Sequence, residues 1–362
     1  MATIDGDADR AAGFSKPVNK AYRLALPASL GVGLPLLVLA IGWAVGVGST
    51  PIPLGTVAGV VLDHLWPGSV AASWSPGRAS IVWDIRLPRA LLAALVGGGL
   101  ALVGTALQAI TRNPLADPHL LGVSSGASFG AILALLHVGL VWGLLTLPLF
   151  AFAGAMATTA LVIVVTRVAG AGSAERMVLA GVSVSFVVMA AANLLIFLGD
   201  PRASHTVIFW MLGGLGLAEW RHLVYPATVL AGCGFWLAAR GSELTAMTVG
   251  DETAASLGIA VERFRLEVFT ISALLTGTMV AFSGTIGFVG LMVPHVARAL
   301  VGGEVRRMIP IAALIGAIFL VLADAFARVI AAPEDMPIGI VTGVVGGLFF
   351  IGLMAKQRRS RR

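Results

Sequence analysis

Residues 241–265, GSELTAMTVGDETAASLGIAVERFR, gather Glu, Asp, Ser and Thr between long apolar runs. Asp251, Glu252, Ala254, Ala255, Leu257 and Ile259 read as a short helix. Its first turn is acidic, which suits the positive end of a helix dipole. Gly250 precedes it, and Gly258 sits where it can end or bend. These residue types do no bond chemistry. They make either a helical hook that a soluble partner can grip or a plain polar loop, and composition leaves both open.

A second charged group lies elsewhere. Arg86 and Arg89 are three apart at the start of an apolar run, and Asp324 and Arg328 are four apart within another, so the latter two share a helix face. Charges at such places are costly unless they meet a partner or water. The functional reading is a set of arginines offered to an acidic soluble partner. The plain one is interfacial arginines snorkelling to the membrane surface. A third feature is the turn Asn113-Pro114-Leu115-Ala116-Asp117-Pro118, in which each proline forces its predecessor out of the helical region. It is either part of a gate or a simple connection. Residues 199–220 place Arg202 and His205 before an apolar stretch with Phe209 and Trp210. Arg202 can meet a carboxylate with a charge-assisted hydrogen bond. The aromatic pair offers a stacking surface. A re-entrant helix packed on its neighbours explains the same residues without any ligand.

Several chemistries are excluded. The lysines are Lys16, Lys20 and Lys356, and none completes a phosphate-binding GxxxxGK[ST] loop. An HExxH motif is absent as well. Cys233 is the single cysteine, so no intrachain disulfide forms. If ATP powers this protein, a different chain binds it.

The elements that carry these groups follow from composition. Of 362 residues, 58% are hydrophobic and 12% charged. A soluble chain of this length needs more charge to cover its surface, so the sequence predicts an all-α polytopic membrane protein. The net charge of +6 reflects basic residues at termini and loops and does not imply nucleic acid. Residues 1–23 form a polar tail with Arg10, Lys16, Lys20 and Arg23. Residues 24–355 form the membrane domain, and 356–362 a basic tail. Apolar runs at 24–47, 91–110, 120–138, 145–168, 178–198, 223–239, 266–282, 286–300, 309–330 and 338–354 predict about ten spans. An even number puts both termini on one side. The positive-inside rule makes that side, and the hook with it, cytoplasmic. Spans two to five and seven to ten have the parity of an inverted repeat.

Several stretches carry a family resemblance. RLPRALLAALVGGGLALVGTALQAITRNPLADPHLLGVSSGAS (86–128), LAGVSVS (179–185), WMLGGLG (210–216), GDETAASLGI (250–259), GTIGFVGLMVPHVAR (284–298) and EDMPIGIVTG (334–343) resemble, in order, the signatures of permease subunits of ABC importers for iron-siderophores, haem and vitamin B12. The resemblance implies a vitamin B12 permease-like type II ABC importer fold in the bacterial inner membrane. It implies a homodimer around a central path, with two ATPase subunits that bind ATP and Mg, one periplasmic binding protein, and no cofactor in this chain. Gly250, Asp251, Glu252, Ala254, Leu257 and Gly258 would then belong to the coupling helix seated in the ATPase. Arg86, Arg89 and Arg328 would meet glutamates of the binding protein. Asn113, Leu115, Ser173, Ala174 and Glu175 would form the cytoplasmic gate. The sequence departs from the family at Glu334-Asp335-Met336-Pro337, which carries one inserted residue, and at Gly346-Gly347-Leu348, where a proline is usual. Its gate loop lacks the hydroxyl cluster of the B12 importer, so the chain resembles haem permeases more.

Two readings of different class follow. The first is the permease of an ATP-driven importer for haem or a related iron chelate, with ferric-siderophore or B12 cargo as the alternative in the same family. Arg202, His205 and Trp210 are then candidates for the substrate path. The second is an ion-coupled secondary transporter. The acidic hook and the scarcity of intramembrane carboxylates favour the first.

Overall fold

The computed structural model describes residues 26–118, 122–168 and 174–360. The expected tail at 1–23 and Ser173 of the gate lie outside them. The described chain forms helices α1 (Leu26–Gly46), α2 (Leu54–Leu65), α3 (Pro76–Ser80), α4 (Leu87–Thr111), α5 (Val123–Leu133), α6 (Thr146–Val168), α7 (Ala174–Leu198), α8 (Ser204–Met211), α9 (Val224–Ala239), α10 (Gly241–Val249), α11 (Asp251–Ser256), α12 (Val261–Ser283), α13 (Val289–Val301), α14 (Val305–Ile330) and α15 (Ile338–Ser360). Among the described residues seven helical segments are long and apolar enough to cross a membrane: those of α1, α4, α6, α7, α12, α14 and α15. Four more are apolar but shorter, at Leu54–Leu65, Val123–Val138, Val224–Ala239 and Val289–Val301.

Three boundaries differ from the sequence reading. The second span does not begin near residue 91: helix runs from Pro76 to Thr111. Pro88 lies inside this continuous helix, where its missing N–H removes one helical hydrogen bond next to the π turn. The π turn Ile81–Arg86 joins α3 to α4 without a break. The stretch between the first two predicted spans contains α2. The basic C-terminal tail is helical as far as Ser360, as an extension of α15.

α4 is the central post, packed along α14, α12 and α13. Its glycines allow this. A Cβ built at Gly97 would lie 2.1 Å from the carbonyl oxygen of Gly316 on α14, and one at Gly316 would lie 2.3 Å from that of Gly97. A Cβ at Gly104 would lie 1.9 Å from the Gly290 carbonyl oxygen on α13. Inside a membrane, backbones that approach this closely replace the hydrophobic drive with van der Waals contact. Gly104→Val should therefore overpack the crossing and cost about 1–3 kcal/mol. Gly343, with nothing within 4 Å of a built Cβ, should accept Ala with little change. Thermal melting of the detergent-purified variants reads both.

Three breaks in the helices are knitted together. α8 ends where Gly214 N donates to Ser283 O at 2.8 Å. At the start of α15, Ile338 N donates to Gly213 O at 3.0 Å and Gly339 N to Leu212 O at 3.1 Å. The hydroxyl of Thr285 also donates to Met211 O. Non-helical backbone persists at membrane depth only when protein satisfies it in this way. The stretches 210–216, 284–298 and 334–343 thus meet at one junction.

Candidate functional site: a hook, an arginine cluster and an aromatic cavity

α4 and α14 separate the two charged groups. Arg86 and Arg89 stand at one end of α4 and Arg112 at the other, with 25 helical residues between. That is about 37 Å at 1.5 Å per residue. Val305 N donates to Thr245 Oγ1 at 3.1 Å, which seats α10 on the start of α14, while Arg328 lies at the far end.

At the hook end, residues 241–265 form two helices and the start of a third. α10 buries Leu244 and Met247. The chain turns sharply at Gly250, with φ +152, and α11 follows with Asp251 and Glu252 in its first turn. Leu257 is the C-cap of α11 and is not helical, and Gly258 takes φ +83. Gly258 N then donates to Ala255 O at 2.9 Å and Ile259 N to Ala254 O at 3.1 Å. This is the paired bonding of a Schellman stop, which needs a left-handed residue and favours glycine. Ala254 is fully buried, whereas Leu257 is 67% exposed. The hook therefore has an anchored side and a free apolar tip.

The flanking arginines behave differently from one another. Arg263 is exposed and pairs with Glu267 at 3.1 Å. Arg265, expected as a loop arginine, is only 2% exposed and donates to Asp251 Oδ2 at 2.8 Å. Arg112 lies 3.6 Å from the other carboxylate oxygen of Asp251. Beside it, the turn at Asn113 is an Asx turn: Leu115 N donates to Asn113 Oδ1 at 2.9 Å. Leu115 is exposed. Ala174 and Glu175 open α7.

At the opposite end the arginines are not presented outward as expected. Arg86 and Arg328 are 7% and 6% exposed. Arg86 donates to the carbonyls of Val45 at 3.0 Å, Gly46 at 3.3 Å and Thr50 at 2.7 Å. Arg328 donates to the carbonyls of Ala44 at 2.7 Å and Val47 at 2.8 Å. A helix leaves its last four carbonyls without partners; in α1 these two guanidiniums serve Ala44, Val45 and Gly46, while the Val47 N–H donates to Trp43 O. Their positive charge also suits the negative end of the helix dipole. Arg328 Nε reaches Asp324 Oδ2 at 3.1 Å, as the four-residue spacing predicts, and Arg89 Nε reaches Asp324 Oδ1 at 3.0 Å. Arg89 pairs in addition with Asp335, whose side chain is exposed. The reason for burial is thus the end of α1, which supplies carbonyls that no sequence pattern announces.

The third group lies around α8. A cavity of about 380 Å³ is lined by His205, Thr206, Phe209 and Trp210 with Leu135 just beyond α5, Leu147 of α6 and the 214–217 stretch. The His205 and Phe209 rings are 6.3 Å apart. Trp210 Nε1 is buried and has no hydrogen-bond partner among the described residues. The structure brings His205 and Trp210 to one cavity. Arg202 stands outside its lining, in a turn where its backbone N–H donates to Asp200 Oδ1 at 2.9 Å.

This arrangement has known relatives. Residues 36–356 match the FecCD transport family. The uncharacterized ABC transporter permease protein YvrB of Bacillus subtilis is 38% identical over 336 residues, covering 91% of this chain and 94% of its own. The hemin transport system permease protein HmuU of Yersinia pestis is 37% identical over 295 residues, covering 80% of this chain and 88% of its own. Among solved structures, an inward-facing conformation of a putative metal-chelate type ABC transporter superposes with a TM-score of 0.79 at 30% identity, covering 91% of this chain and 99% of that one. With hook, buried arginines and glycine-packed bundle in one apolar chain, the conclusion is that this protein belongs to the FecCD transport family and is a transmembrane permease of an ABC importer for iron chelates, haem or vitamin B12.

Proposed function

We propose that this chain is the permease of an importer that moves haem, or a closely related iron chelate, across the bacterial inner membrane by alternating access. In this reading two copies pair around the path, each seats its hook in one of two ATPase subunits, and one periplasmic binding protein delivers cargo to the arginine end. ATP and Mg are held by the ATPase, and this chain contributes no cofactor. Ten spans carry the reading: the seven long segments with the shorter apolar segments at α5, α9 and α13. Both termini and the hook are then cytoplasmic, on the side the arginine distribution favours.

The observation that carries the proposal is the hook itself, a short acidic helix held on its inner side with an exposed leucine at its tip. The cargo class is supported by the cavity at α8. A flat, largely apolar ring system with acidic edges fits an aromatic wall and an imidazole. Haem uptake into liposomes holding the assembled transporter tests it. His205→Ala with Trp210→Ala should lower uptake about tenfold, a rise of roughly 1.4 kcal/mol in the barrier to transfer. Uptake equal to the parent would remove the cavity from the path. Uptake of a ferric siderophore but not haem by the parent would overturn the haem assignment alone.

Binding-protein docking at the arginine end then rests on the half-buried Arg89 and its rim, with Arg86 and Arg328 shaping the surface from below. Complementary charge chiefly sets encounter rate. Association measured between 50 mM and 500 mM salt should slow as salt rises, since screening shortens with ionic strength. A flat salt profile would show that charge does not guide docking.

A further inference from the structure

Asp251 holds two guanidiniums that belong to different parts of the bundle. Arg265 comes from the second turn of α12 and is almost wholly buried. Arg112 is the C-cap of α4 and stands directly before the Asn113–Pro118 turn. The carboxylate uses one oxygen for each: Oδ2 to Arg265 at 2.8 Å and Oδ1 to Arg112 at 3.6 Å. Three elements therefore meet on one side chain, at the first residue of the hook.

The backbone is shaped for this meeting. Arg112 has φ +52, a left-handed conformation that a non-glycine residue adopts only when its surroundings hold it there. Gly250 has φ +152, and a Cβ built on it would lie 3.8 Å from Arg112 Nη1. One turn before Arg112, α4 is tied to α13. Gln108 Nε2 donates to the carbonyls of Gly290 at 3.1 Å and Leu291 at 3.3 Å. A Cβ built on Gly290 would lie 3.0 Å from Pro118 Cδ. Hook, turn and α13 are thus close neighbours around the end of α4.

The two legs are unequal. The leg to Arg265 is a short charge-assisted hydrogen bond to a buried group. The leg to Arg112 is longer than a hydrogen bond, with Arg112 47% exposed. A load on α11 strains the longer leg first, while the shorter leg keeps the hook attached to α12. The geometry points to Asp251 as a joint: Arg265 is its fixed arm, and Arg112 is a working arm that makes and breaks as the ATPase moves the hook, carrying that motion to the turn at Asn113. Arg112 is a positioning residue, and its role rests on the proposed docking of the hook in an ATPase.

The test uses the full transporter reconstituted in liposomes, with cargo uptake and ATP hydrolysis measured on the same sample. Arg112→Gln removes the exposed arm and leaves the buried pair intact. Cargo moved per ATP should fall about fivefold or more, within the usual range of coupling between sites. Arg112→Lys keeps the charge and should restore most of the ratio, which a purely structural role would not predict. Asp251→Asn should lower the ratio at least as far and also lower the yield of folded protein, because it leaves Arg265 buried without its carboxylate. An unchanged ratio in Arg112→Gln, with ATPase capture intact, overturns the joint. Loss of capture in Arg112→Gln also overturns it, since Arg112 would then belong to the docking surface. Failure of the parent chain to capture an ATPase would overturn the coupling reading together with the joint.

Discussion

Arg328→Ala should lose about 3–5 kcal/mol of stability, the usual result of removing one partner from a buried, hydrogen-bonded ion pair. The substitution strips Asp324, itself 1% exposed, of one of its two guanidiniums. It also leaves the carbonyls of Ala44 and Val47 without the donor that serves them now. Water reaches neither group easily, so both losses fall on the folded state. Asp335→Ala is the natural control. It removes an exposed partner of Arg89 and should cost no more than about 1 kcal/mol. Melting of the two purified variants in detergent, beside the parent, checks the difference. If Arg328→Ala melts with the parent, the cluster does not hold α1 in place.

Leu257→Asp should leave the fold alone and abolish transport. The side chain is largely exposed, so the isolated permease loses little contact, and surface changes of this kind stay within about 0.5 kcal/mol. In the assembled transporter the same position is the apolar tip of the proposed ATPase contact. A charge there is buried without a partner, and a central interface residue replaced this way costs roughly 2–4 kcal/mol, or about 30- to 1,000-fold in affinity. Copurification of the ATPase with a tagged permease should fall accordingly while the melting temperature stays. Normal capture and normal uptake together would remove Leu257 from the contact.

Much of this was legible in the sequence because apolar length and polar punctuation are local properties. Seven of the predicted spans have a helix long and apolar enough to cross a membrane among the described residues, the other three a shorter apolar helix, and the acidic first turn at Asp251 and the stop at Gly258 stand where composition put them. The pair Asp324–Arg328 followed from helix periodicity alone. What escaped was whatever depends on which elements meet. Arg86 and Arg328 read as outward charges because nothing in their neighbourhood reveals the end of α1, some 40 and 280 residues away in sequence. Arg265 read as a loop charge because the fold of α10 and α11 back onto α12 is tertiary. The junction of 212–214, 283–285 and 338–339 is made mainly of backbone hydrogen bonds, which leave no side-chain pattern. The aromatic cavity was half legible: His205 and Trp210 share it, while Arg202 does not line it.

The capping of α1 has a consequence for biosynthesis. α1 is made early, and its last carbonyls need donors from two later parts of the chain. Arg86 follows Gly46 by 40 residues, but Arg328 follows Val47 by 281. At a translation rate of about 5–20 residues per second, the second donor arrives roughly 14–56 s after the helix it serves. Over that interval α1 has one guanidinium at its end instead of two, and its contact with α14 does not exist. The end of α1 is therefore fixed in place only once α14, some 280 residues later in the chain, has been made.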